Sequence, residues 1–180
     1  MDNETIKLTV KEKYQKVMET FYVHALWLFT SAIGLLVTFG AATTALSRVM
    51  FQIYKKDEPT AVFSLFFKTF KDEFVVSTGV WLLIIVLGIP LFAMGYRSFQ
   101  DDQLLLLIMA IFIAFHLLMV LFYSFPVIAI FTTKNFFQLL KNIVLLEVRF
   151  FFKNVLILGH FSIIIFLAYF VRQEFIIVIG

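Results

Sequence analysis

The chain has 180 residues, 62% of them apolar and only 15% charged, with a mean hydropathy of +0.97 and a formal charge of +3. An ordinary soluble domain carries about 25% charged residues, and one of this size buries only about two-thirds of its surface, so its exterior needs many more polar side chains than this chain has. The composition excludes a soluble globular enzyme, a disordered tail and a nucleic-acid-binding module, and it points to an integral membrane protein.

A span needs about 20 mostly apolar residues to cross about 30 Å of hydrocarbon. Four runs free of Asp, Glu, Lys and Arg answer to that: residues 20–47, 74–96, 103–133 and 154–171. Only helices and closed barrels satisfy the backbone in lipid. A barrel strand alternates apolar with polar residues, and Leu104-Leu105-Leu106-Leu107-Ile108 does not. The expected fold is all-α: one polytopic transmembrane helix bundle over residues 1–180, with amphipathic interfacial helices between the runs.

In chain order, the first amphipathic segment is 11–22. Tyr14, Val17, Met18, Phe21 and Tyr22 recur there at helical spacing, and Lys11, Lys13 and Lys16 lie mostly on the other side. The segment 44–56 repeats the pattern with Leu46, Val49, Met50, Ile53 and Tyr54. Asp57-Glu58-Pro59-Thr60 then reads as a helix start, with acids beside the positive end of the helix dipole. It opens the segment 60–73, whose stripe of Phe63, Phe66, Phe67 and Phe70 leaves Lys68 and Lys71 to one side. Such helices commonly lie in the headgroup plane with the aromatic face in the acyl boundary. The alternative is that the stripe packs on the bundle. The last amphipathic segment, 135–153, carries Lys141, Arg149 and Lys153.

Basic residues set the orientation. The segments 48–73 and 134–153 hold five and four Lys or Arg, against one between the second and third runs and one after the fourth. Both heavily basic segments are therefore expected to be cytoplasmic, where the anionic face of the lipid bilayer is partner enough for the positive excess. The N-terminal tail adds four more Lys. If run 20–47 crosses once, the basic residues divide nine inside to six outside. If it dips in and returns, they divide thirteen to two. At about 1.5 Å per residue, 28 residues are too short for two crossings and long for one. A half-membrane hairpin breaking near Gly40 fits the charge rule best. At the other end, the six apolar residues 175–180 are too few to cross a bilayer; they either tuck against the bundle or precede a missing span.

Candidate chemistry is sparse. The runs contain no carboxylate, Lys or Arg, only His24, His116 and His160. Three scattered imidazoles make a poor metal or proton site, and structural hydrogen bonding is the reading preferred for them. The absence of Cys removes disulfides, thiolate metal sites and Cys nucleophiles. There is no phosphate-cradling Gly loop and no hydrolase or zinc-protease motif, so no enzyme activity, metal or cofactor is expected. The small-residue patch Gly40-Ala41-Ala42-Thr43-Thr44-Ala45 allows close helix approach. With Tyr123, His116 and His160 it supplies the candidate helix-packing or pore-lining residues.

Several stretches resemble a known family. Leu26-Trp27-Leu28-Phe29 leads to Thr38-Phe39-Gly40-Ala41-Ala42-Thr43-Thr44-Ala45-Leu46. Glu58-Pro59, Phe66-Phe67-Lys68-Thr69-Phe70-Lys71 and Ser77-Thr78-Gly79-Val80-Trp81 follow, and later Tyr123-Ser124-Phe125-Pro126-Val127. Their order and spacing resemble the YesL-like family of bacterial membrane proteins, a domain of unknown function. Specific similarity covers about a third of the chain. Leu35 and Ala41 stand where that family usually has Pro, which lets run 20–47 continue more smoothly and weighs against the hairpin. Family members usually carry a further apolar segment, so the resemblance implies a shortened C-terminus here. It implies a bacterial cell membrane and a link to carbohydrate uptake, and it supplies no catalytic residues. The expected function is that of a non-enzymatic accessory, with sugar-transporter subunits as partners. The alternative is a small transporter or channel with a polar cavity lined by Thr38, Thr43, Thr44, Ser77, Tyr123 and His116.

Overall fold

Runs rich in Leu, Phe and Ala, free of Pro and Gly clusters, propagate as helix until a breaker stops them. The computed structural model describes residues 3–34, 37–55, 61–131, 135–160, 163 and 167, with backbone alone over 3–10. Among these residues the fold is all-α, as expected, with no strand. Its helices are α1 (Asn3–Ile33), α2 (Phe39–Lys55), α3 (Val62–Asp72), α4 (Phe74–Gln100), α5 (Leu104–Ile130), α6 (Phe136–Arg149) and α7 (151–160).

α1 joins the first amphipathic segment to the front half of run 20–47, because no Gly or Pro interrupts the 31 residues before Gly34. The break then falls at 34–38 and not near Gly40. The N–H groups of Val37 and Thr38 both donate to the Gly34 carbonyl at 2.7 Å, and the Thr38 hydroxyl donates to the Thr30 carbonyl at 2.7 Å. α2 runs back along α1, with Trp27 Nε1 donating to Thr43 Oγ1 at 3.1 Å. Run 20–47 is thus a helical hairpin and not one long helix.

α4 and α5 are the two helices among the described residues that are long and apolar enough to cross a membrane. Each has 27 residues, about 40 Å of helix. Their connection is tight, and Asp102 takes a left-handed φ of 52° that a short polar side chain tolerates. Of the four expected runs, these two stand as continuous spanning-length helices. The first is divided, and half of 154–171 lies outside the described residues, as do Asp57–Thr60 and Leu35.

Two apolar clusters hold the helices together. Val23, Ala42, Ala45, Val49, Ile53, Val62 and Phe66 join α1, α2 and α3. Val80, Ile84, Val127, Ile128, Leu139 and Ile143 join α4, α5 and α6. Both lie toward the end where α4 begins and α5 finishes. Among the described residues, the α1–α2 hairpin meets α4 as far as its eighth residue, where the Phe39 and Trp81 rings sit 4.6 Å apart. Beyond that level the α4–α5 pair stands largely uncovered, with Val86, Ile89, Phe92, Phe99, Leu105 and Ile111 all more than 60% exposed.

Candidate functional site

The expected small-residue patch is a helix crossing. Gly40, Ala41 and Ala42 are all buried in α2, Gly40 against α4 and Ala42 in the cluster shared with α1 and α3. A Cβ at Gly40 would stand 2.4 Å from the Ser77 carbonyl oxygen, so only Gly lets the two backbones approach this closely. One turn on, Thr44 and Ser77, both fully buried, hydrogen-bond at 2.8 Å. Thr78 donates to the Val37 carbonyl at 2.9 Å, and Thr43 donates to Phe39 at 2.8 Å while accepting from Trp27. The Thr and Ser hydroxyls put forward as pore-lining groups are therefore spent on holding α1, α2 and α4 together. Buried hydroxyls need such partners, since an unpaired one costs about 1–3 kcal/mol.

At the base of this crossing, Arg48 on α2 donates to the Ala129 carbonyl at 2.8 Å. It also faces Glu73, the residue between α3 and α4. Burial and the neighbouring Asp72 raise the Glu73 carboxyl above its ordinary value of 4.5, and Arg48 pulls the other way.

The Phe stripe of α3 divides by residue. Phe66 is fully buried against α1 and α2, and Phe70 packs partly against the same cluster. Phe63 and Phe67 remain 56% and 38% exposed, and Lys68 and Lys71 are exposed.

The structure also assembles a polar group that the sequence reading dispersed. α6 folds back along α5 and brings Glu147, 3% exposed, against His116 at the midpoint of α5. His116 Nδ1 and Glu147 Oε1 are hydrogen-bonded. The Phe112 ring meets the imidazole edge-on at 4.5 Å, and Phe151 stacks on it at 6.0 Å. Two turns further along α5, Tyr123 donates to Asn154 Oδ1 at 2.7 Å, while the buried Asn154 Nδ2 has no partner. Since Phe151 lies at Phe115 and Asn154 at Tyr123, α7 starts back along α5 toward its C-terminal end. His116 and Tyr123, two turns apart on α5, thus each take a separate partner from the returning chain. His160 is exposed, and His24 is exposed with Nδ1 at 2.7 Å from the Thr20 carbonyl oxygen.

Glu147 falls in the basic segment 134–153, expected to be cytoplasmic. Its signal was available: it is the one acid between Lys134 and Lys153, and it shares a helix face with Leu139 and Ile143 at four-residue steps. α6 begins at the basic end of the molecule but finishes beside the midpoint of α5, so residues 134–153 are not confined to one end.

Comparison with known proteins bears on the crossing of α2 and α4. Residues 20–94 match the family described as "Protein of unknown function, DUF624". Over 120 residues the chain is also 35% identical to the protein described as "Uncharacterized protein YesL" of Bacillus subtilis (strain 168). The chain is YesL-like. That alignment covers 66% of this chain and 57% of the relative's length. No solved structure matches. The matched residues 20–94 hold Trp27, Gly40, Thr44, Phe66 and Ser77, so the α2–α4 crossing lies within the family region. His116 and Glu147 lie beyond it.

Proposed function

We propose that this chain is a multi-pass protein of the bacterial cell membrane that acts through helix contacts and not through catalysis, as an accessory in carbohydrate uptake. One observation carries the reading. The hydroxyls of Thr43, Thr44, Ser77 and Thr78 at the α1–α2–α4 crossing are bonded within the bundle, with Ser31 Oγ and Trp81 Nε1 buried there without partners, while α4 and α5 leave their outer halves bare: only 22% and 11% of their most apolar stretches are buried. Such surfaces suit lipid or the helices of another membrane protein. α3, with Phe63 and Phe67 outward beside Lys68 and Lys71, suits the cytoplasmic boundary of the same membrane. The α1–α2 hairpin, entering and returning on that side, keeps the four Lys of the N-terminal tail with the five basic residues of 48–73. The carbohydrate role and the choice of sugar-transporter subunits as partners rest on the family resemblance.

The test is copurification of transporter subunits with the chain from solubilised membranes, together with sugar uptake after deletion of its gene. Unchanged uptake and no copurifying subunits would remove the accessory role. Solute flux in liposomes holding the purified chain alone would favour the transporter reading instead.

A further inference from the structure

We propose that His116 and Glu147 form a proton-binding site inside the membrane, and that the bound proton holds α6 against α5. The inference rests on the membrane reading above. An ionisable side chain at span depth is costly and seldom kept without a use. Here an acid and an imidazole meet, one from each of two helices that pack along each other.

The balance is simple. With Glu147 ionised and His116 neutral, the pair carries one buried negative charge. Addition of one proton makes the pair neutral, whether the proton rests on Nδ1 opposite a carboxylate or on the carboxyl opposite Nδ1. Burial favours the neutral state, because an uncompensated buried charge is expensive. Loss of the proton leaves that charge between α5 and α6, where Leu139 and Ile143 make the apolar contact that α6 must give up to rehydrate Glu147.

Few charged groups surround the pair. α4 presents no acid or base between Phe74 and Tyr96. On α5 the other titratable side chain nearby is Tyr123, which is tied to Asn154. On α6 and α7 the nearest charges are Arg149 and Lys153, both exposed and set over the Phe150 ring at 5.8 and 5.4 Å.

The test uses the full chain, which has no Cys to mask, with nitroxide labels on Phe122→Cys and Gln138→Cys, exposed positions of α5 and α6. In bilayer discs the label separation is expected to hold at low pH and to lengthen and broaden as the pH rises. Glu147→Gln, an uncharged isostere that still hydrogen-bonds His116, is expected to keep the short separation throughout. The infrared carboxyl band that titrates in the wild type is expected to vanish in that variant. A separation that ignores pH in the wild type, or the same pH response in Glu147→Gln, would overturn the proposal. Repeating the measurement in detergent decides the proton site alone, and retention in liposomes through alkaline carbonate extraction decides the membrane reading alone.

Discussion

Arg48 closes the C-terminal end of α5 from another helix: its Nη1 donates to the Ala129 carbonyl at 2.8 Å. The last four carbonyls of a helix lack partners within it, and a cation there also meets the negative end of the dipole. One side chain thereby joins α2, α5 and, through Glu73, the start of α4. Hydrogen bonds to charged groups contribute about 1.5–3 kcal/mol, and Arg48 is half-buried. Arg48→Met is expected to lower stability by about that range, read by denaturant titration in detergent. Arg48→Lys is expected to recover only part, since an ammonium replaces a planar fork with a point charge.

Gly40 and Gly79 make a matched pair of opposite sign. A Cβ at Gly40 meets the Ser77 carbonyl oxygen at 2.4 Å, and neither backbone can retreat without opening the α2–α4 crossing. Gly40→Ala is expected to cost about 1–3 kcal/mol, the usual range for overpacking. Gly79, in α4, has nothing within 4 Å of the same position. Gly79→Ala is expected to stabilise by up to about 1 kcal/mol through helix propensity. Melting temperatures of the two variants side by side check both signs.

These contacts show how far the sequence reaches. α4 and α5 were legible because a long charge-free run has one solution in lipid. The division of run 20–47 was half legible. The charge count favoured a hairpin, but Gly40 stood out as the breaker where Gly34 is the one that breaks. Both are glycines in apolar sequence, and what separates them is the Ser77 backbone, 37 residues beyond Gly40. Phe66 and Phe67 are adjacent and alike, yet one is in the core and the other outside, because α3 rolls to seat Phe66 against Val49 and Ala45. The His116–Glu147 pair was hidden for a different reason. Hydropathy windows sort residues by segment, and an acid in a basic amphipathic segment is scored as surface. Its burial depends on α6 folding back along α5, which no local pattern states.

Thr44 and Ser77 test whether the hydroxyls at the crossing are structural. Replacing one leaves the other buried and unpaired, whereas replacing both leaves apolar groups in contact. Ser77→Ala and Thr44→Val are each expected to cost about 1–3 kcal/mol, and the double variant clearly less than their sum. A double-mutant cycle on unfolding free energy reads this coupling. Additive losses would mean that the hydroxyls do not act as a pair.

Glu73 gives the pH dependence its sign. Its carboxyl is raised from 4.5 chiefly by burial, then by Asp72, with Arg48 opposing. A raised carboxyl binds its proton more tightly in the folded chain than in the unfolded one. Its contribution is therefore fully present below the unfolded value and lost as pH rises through the folded one. Glu73→Gln keeps the uncharged form at every pH. The variant is expected to match the wild type in acid and to melt higher as pH rises above 4.5, with the gap levelling once the wild-type carboxyl is fully ionised. Thermal unfolding of both proteins across that range checks it. A gap that opens toward acid would mean that Arg48 dominates and that the carboxylate is the form the fold prefers.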